Sequence, residues 1–157
     1  MLQKHIYHLQ GHQEKFASPI EDQLKLWDIC IFNYLIGNTD NHIKNLSLLY
    51  SEDLKSIRLA PAYDIVSTIV YETSTENMAL RIGDVYKLSD IGKRDFEKEA
   101  IKVGLGKNIA MKRFDSMCKK FEKAIDEASK KLTDKGFQTE QLKEKILTKG
   151  GISYITK

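Results

Sequence analysis

The chain has 157 residues, 41% hydrophobic and 30% charged, with a formal net charge of +3. That is the size of one domain, too short for two ordinary ones and too apolar for a disordered chain. It holds no apolar run of the ~18 residues that a membrane-spanning helix needs, and its first twenty residues lack the continuous apolar segment of a secretory signal. Cys30 and Cys118 share no metal-ligand spacing, which argues against a disulfide framework or a zinc module and for a reducing, cytoplasmic setting. Charge is uneven along the chain. Residues 1–90 hold 8 Lys+Arg against 12 Asp+Glu, a balance of −4, whereas residues 91–157 hold 17 against 10, a balance of +7. A basic last third can meet nucleic acid or an acidic partner. The same lysines also make the ordinary solvated face of amphipathic helices.

His5, His8 and His12 stand at i, i+3 and i+7, one side of a helix if that segment is helical, and such a stripe can take a transition metal. Gly11 weakens that helix and no carboxylate is fixed nearby, so surface histidines without a ligand are expected. Ser18-Pro19-Ile20-Glu21 then reads as a helix start, with Ser18 as N-cap, Pro19 at N1 and Glu21 closing a capping box. Ile20, Leu24, Trp27, Ile31, Tyr34 and Leu35 recur at helical spacing, with Cys30 on the same side, and Gly37 suits the end of that helix.

Leu46–Tyr50 and Ser56–Ala60 read as two strands joined by the polar turn Ser51–Lys55, and Pro61 closes the second. A further extended piece is expected at Asn77–Ile82, before Gly83-Asp84. Phe96, Ala100 and Val103 mark a helix ended by Gly104. Ala110, Phe114, Met117, Cys118, Phe121, Ile125, Ala128 and Leu132 hold one face of a longer helix stopped by Gly136, and a last helix runs near Gln138–Leu147. The expected fold is mainly α, with one small antiparallel β-hairpin.

The chemistry concentrates in Gly37-Asn38-Thr39-Asp40-Asn41-His42-Ile43-Lys44-Asn45, a loop between a buried helix and a hairpin. Asp64 follows the hairpin, whose reversal returns the chain toward Asp40 and Asn45. Phosphoryl transfer needs an acceptor for the attacking hydroxyl's proton and oxygen ligands that hold Mg²⁺ against the phosphates. Asp40 suits the first task. Asn45 and Asp64 suit the second, since magnesium takes one or two carboxylates and leaves its other positions to phosphate and water. Lys44 can offset phosphoryl charge. Each residue alone has a plainer reading: an Asx side chain caps its own backbone, and a lone histidine satisfies a neighbouring backbone group. A metal-dependent hydrolase with Asp40, His42 and Asp64 as ligands is a further alternative, thin on histidines.

FNYLIGNTDNHIKNLSLLY followed by LAPAYDIVS closely resembles the C-terminal lobe of HipA-like serine/threonine kinases, the toxin half of bacterial toxin–antitoxin modules. The clear match covers roughly Asp22–Ser67, with weaker similarity through Met78–Gly83 and the later helices. The resemblance implies a helical kinase-like C-lobe whose hairpin carries the catalytic and metal loops. It matches Asp40 to the catalytic aspartate, Asn45 and Asp64 to the metal ligands, and His42 and Lys44 to loop positions facing phosphate or nucleotide. The Asp-x-His-x-x-Asn form is also similar to lipid-kinase catalytic loops.

Implied with the family are ATP and Mg²⁺, a protein Ser/Thr substrate, a helix-turn-helix antitoxin and at most weak or indirect DNA contact. Residues 1–157 are expected to form one such lobe without an ATP-clamping N-terminal lobe. Too few residues precede the first helix for that sheet, and Gly104-Leu105-Gly106-Lys107 fails the Walker spacing. Phosphoryl transfer is therefore expected only with a separate N-lobe. The rival expectation is a non-catalytic C-lobe that docks an antitoxin or DNA.

Overall fold

Trp27 and Tyr34, a helical stretch apart and both fully buried, show what the first helix does. In the computed structural model, which describes residues 16–155, helix α1 (Pro19–Ile36) buries Leu26, Trp27, Cys30, Ile31, Tyr34 and Leu35. The Trp27 indole N–H donates to the Ala110 carbonyl at 3.0 Å and the Tyr34 hydroxyl to the Ile91 carbonyl at 2.7 Å. Each aromatic thus buries its apolar body and satisfies its polar tip.

The remaining elements follow in order: a 3₁₀ turn (Ile43–Asn45), β1 (Leu48–Tyr50), β2 (Ile57–Leu59), β3 (Asn77–Ile82), β4 (Val85–Lys87), a 3₁₀ turn (Leu88–Asp90), α2 (Lys93–Lys102), α3 (Lys107–Thr133), α4 (Glu140–Lys149) and α5 (Ile152–Ile155). Phe96 of α2 sits at the centre of the core. Its ring centroid lies 5.8 Å from Trp27, 5.2 Å from Tyr34 and 4.5 Å from Phe114 of α3, so three helices meet on one ring. At the other end of the chain, the Gly151 N–H donates to the Tyr34 carbonyl at 3.1 Å. A side chain at Gly150 would strike the carbonyls of Leu35 and Ile146, so this close approach requires glycine.

The first hairpin pairs Leu48 with Leu59, Leu49 with Arg58 and Tyr50 with Ile57, antiparallel. Its turn is held by Asp53, whose carboxylate accepts from the Ser51 hydroxyl at 2.6 Å and the Lys55 N–H at 3.1 Å, local Asx chemistry of the expected kind. The extended piece at Asn77–Ile82 is a strand, but it is not alone. It turns through Gly83-Asp84 into β4, pairing Ile82 with Val85. The fold therefore has two hairpins where one was expected. The partner strand escaped notice because Val-Tyr-Lys is too short to show a period.

Three other expectations fail locally. Ser18 is the N-cap of α1, yet its side chain makes no capping bond, and the Glu21 carboxylate pairs with Lys25 at 3.0 Å instead. Ile20 is 73% exposed although it falls on the apolar spacing, because it precedes the point where α1 meets the other helices. In α3 the apolar face stops being a core face after Ile125, and Ala128 and Leu132 are exposed. There α3 extends past the core and meets the segment before α4, where the Ser129 and Thr139 hydroxyls lie 2.7 Å apart. His5, His8 and His12 lie outside the described residues. No helix among the described residues is long and apolar enough to cross a membrane.

Candidate functional site

The loop that follows α1 starts from a Schellman closure. Gly37 takes the left-handed conformation at φ +70° and its N–H donates to the Tyr34 carbonyl at 3.0 Å, while the Asn38 N–H donates to the Asn33 carbonyl at 2.8 Å. The chain thereby leaves the helix at a fixed angle, with Asn38 and Thr39 buried and Asp40 turned out to solvent.

Two polar contacts then bring Asp64 to this loop. The Asn38 side-chain amide donates to the Asn33 side-chain oxygen at 2.7 Å and to the Asp64 carbonyl at 3.2 Å. Asn33 in turn donates to the Ile29 carbonyl at 2.9 Å. This amide chain runs from the interior of α1 to the backbone of Asp64, which itself adopts φ +55°. A non-glycine residue in that region is uncommon and is tolerated best by Asn and Asp. It persists here because the segment on its C-terminal side is pinned. The Ser67 hydroxyl donates to the Ile36 carbonyl at 2.6 Å and the Thr68 hydroxyl to the Gly37 carbonyl at 3.2 Å. The Thr39 N–H donates to the Thr68 hydroxyl at 2.7 Å.

Further contacts complete the frame. The Ala79 N–H of β3 donates to the Thr39 carbonyl at 2.9 Å. The Tyr63 hydroxyl donates to the Lys44 carbonyl at 2.7 Å and lies 2.8 Å from the Ser47 hydroxyl. The segments Gly37–Ser47 and Tyr63–Ile69 are therefore laced together along their length.

Of the residues singled out from the sequence, Asp40 and Asn45 are joined directly: the Asn45 amide donates to the Asp40 carbonyl at 3.5 Å. The 3₁₀ turn carries Lys44 and Asn45, with Lys44 exposed and Asn45 half-buried. Asp64 is exposed on the adjoining segment, its backbone tied to Asn38. His42 is half-buried and its Nδ1 is buried without a hydrogen-bond partner. Asn45 carries a side-chain amide and Asp64 an exposed carboxylate, both of them oxygen groups of a kind that magnesium accepts. Among the described residues no three His, Cys, Asp or Glu side chains gather as a metal site. Asp40, His42 and Asp64 are thus not assembled as the ligands of a hydrolytic metal centre.

The residues that sequence reasoning missed are those that position the loop: Asn33, Asn38, Tyr63 and Thr68. Asn33 left a signal, a polar residue within the apolar run Ile31–Ile36. Thr68 left none.

The family model of the HipA-like C-terminal domain matches residues 3–125. The chain belongs to the HipA-like C-terminal domain family. A Sinorhizobium fredii protein named "Putative kinase Y4mE" is 34% identical over 109 residues, which are 69% of this chain and 26% of that protein. The serine/threonine-protein kinase toxin HipA of Shewanella oneidensis is 26% identical over 113 residues, 72% of this chain and 26% of the toxin. The chain thus spans about a quarter of the length of these curated relatives. Among solved structures, a chain from the Shewanella oneidensis complex of HipA, HipB and operator DNA superposes with a TM-score of 0.79. It covers 96% of this chain and 35% of its own length at 21% identity. The shared feature at that identity is the fold, and it is the mainly helical HipA-like C-terminal fold.

Proposed function

We propose that this domain supplies the catalytic and metal-binding groups for ATP- and Mg²⁺-dependent phosphoryl transfer to a protein Ser/Thr hydroxyl. The observation that carries the proposal is the tie between loops: Asn38 holds the Asp64 backbone at 3.2 Å, on the same loop whose Asp40 carbonyl receives the Asn45 amide. Asp40, Asn45 and Asp64 thus stand on segments joined by hydrogen bonds, which supports reading them together as one proton acceptor and two oxygen ligands.

Asp40, exposed at the loop's outer edge, orients the attacking hydroxyl and accepts its proton as the new oxygen–phosphorus bond forms and the bond to the leaving ADP breaks. Asn45 and Asp64 hold the metal through an amide and a carboxylate oxygen. Bound Mg²⁺ supplies charge neutralisation on the phosphate oxygens. Lys44 on the 3₁₀ turn and His42 just before it would face phosphate. The exposed apolar face of β1, with Tyr50 65% exposed, adjoins this loop and offers a surface for a nucleotide and for a second lobe. The described residues contain no glycine-rich loop over a nucleotide, so the chain alone is expected to be silent and transfer to require that second lobe.

The partner we propose is an antitoxin of the helix-turn-helix type, in line with the HipB and operator DNA of the neighbouring structure's complex. The balance of +7 over residues 91–157 favours, as a second reading, a domain that docks such a partner or DNA without chemistry. Transfer of labelled γ-phosphate to a Ser/Thr protein decides between them, with this domain joined to a nucleotide-covering lobe. Mg²⁺-dependent incorporation is the expected result. A preparation that binds ATP and transfers nothing would leave only the docking reading.

A further inference from the structure

On the side of the molecule formed by α1 and α3, away from the catalytic loop, lies a groove of about 570 Å³. Its floor is apolar: Phe32 of α1 meets Phe121 of α3 edge-on, with centroids 6.2 Å apart, and Met117 and Ala124 extend the surface along α3. Its rim is basic. Lys112 and Lys120 line it and make no ion pair among the described residues. The one carboxylate on the rim, Asp28, is already neutralised by the two-pronged bond from Arg113. The groove therefore presents two uncompensated positive charges above the half-buried Phe32 and Met117.

These features select an occupant. Bare polyanion would satisfy the lysines and leave Phe32 and Met117 wet. A purely apolar segment would leave two ammonium groups facing it. An acidic amphipathic helix satisfies both, because apolar side chains one turn apart reach the floor while flanking carboxylates meet the rim. Lys112 and Lys120 are eight residues apart on α3, about 12 Å along its axis, a span that a helix of two to three turns covers. Methionine adapts its shape to the side chain it receives. This chain does not hold a matching segment at its start, since residues 1–15 carry Lys4 and Lys15 against Glu14. A second copy meeting this groove face to face brings the same two lysines to the same rim, the wrong sign.

We propose that the α1–α3 groove docks an acidic amphipathic helix of a partner protein, seating large apolar side chains against Phe32, Met117 and Phe121 and carboxylates at Lys112 and Lys120. The proposal does not depend on the phosphoryl-transfer reading, because none of the groove's lining residues belongs to the catalytic loop.

The test uses the full chain and a fluorescein-labelled synthetic helical peptide with Leu and Phe one turn apart and glutamates on the flanking positions. Fluorescence anisotropy is expected to give saturable one-to-one binding. Lys112→Glu with Lys120→Glu should weaken it at least about tenfold, more at low salt than at high. Ala124→Gln, which fills the floor from an exposed position, should weaken it by about as much without the salt dependence. Circular dichroism confirms that each variant folds. Any of four results would overturn the proposal: no saturable binding, equal binding of a peptide with serines in place of Leu and Phe, insensitivity to both lysine changes, or a concentration-dependent dimer that Ala124→Gln dissociates. Preference for a DNA duplex over the peptide, lost with the lysines and untouched by Ala124→Gln, would also replace the protein partner by nucleic acid.

Discussion

The Asn38 side-chain amide is shared between two acceptors, the side-chain oxygen of Asn33 inside α1 and the backbone carbonyl of Asp64. Asn38 is 2% and Asn33 1% exposed, so the Asn33 oxygen has no water to turn to if the amide is removed. Asn38→Ala should therefore cost about 1–3 kcal/mol, the usual penalty for stranding buried polar groups. The denaturant midpoint measures it. The same change frees the Asp64 turn, so on the proposed function Mg²⁺-dependent nucleotide binding by the domain joined to a nucleotide-covering lobe should weaken as well. Retention of full stability would mean that the amide chain is incidental.

Thr68 is the matching clamp on the opposite side of the loop. Its hydroxyl accepts from the Thr39 N–H and donates to the Gly37 carbonyl. The Ile69 N–H also reaches that carbonyl, at 3.0 Å, so Thr68→Val strands chiefly the Thr39 N–H and the buried Thr39 hydroxyl, which lies 2.8 Å from that of Thr68. The expected loss is about 1–2 kcal/mol, with Thr68→Ser restoring most of it. A valine variant as stable as the parent would show that the loop finds another acceptor.

The helices were legible because their burial pattern is periodic and their ends are glycines, as at Gly37, Gly104 and Gly136, all with positive φ. The first hairpin was legible from its turn chemistry. What could not be read was the end of burial. Ile20 and Leu132 obey the helical period of their neighbours, and their exposure depends on where other elements stop, which no local pattern encodes. At the site, the outward-facing groups Asp40, Asn45 and Asp64 stood out as polar residues in a loop. Asn38 and Thr68, which help place them, bond to partners at sequence separations of 26 to 31, which a single sequence does not reveal. The left-handed turn at Asp64 belongs to the same class, since it is enforced by contacts from residues 31 positions away.

Glu99 carries the pH dependence. It is 3% exposed and accepts from the Gly83 N–H at 3.1 Å. Burial raises its pKa above 4.5, partly opposed by Lys102 and by the Gly83 bond. A carboxyl whose folded pKa exceeds its unfolded one makes the folded state hold more protons between the two values. Stability from this group is thus full below the unfolded pKa and falls as pH rises through the folded one. Urea midpoints from about pH 4.5 upward should show that decline, and Glu99→Gln should flatten it. An unchanged slope would assign the pH dependence to other groups.

The two thiols should be slow. Burial pushes Cys30 up to about 12, helped by Glu99, and Cys118 up to about 11, helped by Asp115. At pH 8 only about a thousandth of Cys118 is then thiolate, the nucleophilic form, and less of Cys30. Iodoacetamide should label the native chain far more slowly than the urea-unfolded chain, and Cys118 before Cys30. Mass spectrometry over time reads both. Equal rates in the two states would mean that both thiols are as accessible and as ionised in the native chain as in the unfolded one.

The sharpest test separates the two aspartates of the proposed site. Both are exposed, so amide replacements of equal volume should leave the fold intact. Asp64→Asn also keeps a residue type that tolerates φ +55°. With the domain joined to a nucleotide-covering lobe, this change removes the charge proposed to hold the metal, so Mg²⁺-dependent nucleotide binding and turnover should fall together. Asp40→Asn leaves that ligand in place and removes the acceptor for the hydroxyl proton. Nucleotide should still bind, while turnover drops by about 10²–10⁴, the range for a positioned acid–base group. Binding titrations and single-turnover transfer, run on both variants, give the four values needed. The pattern that supports the site is asymmetric: one variant releases metal and nucleotide, the other holds both and does not react. A full-rate Asp40→Asn kinase would move proton acceptance elsewhere, and equal binding losses in both variants would return the two aspartates to loop structure alone.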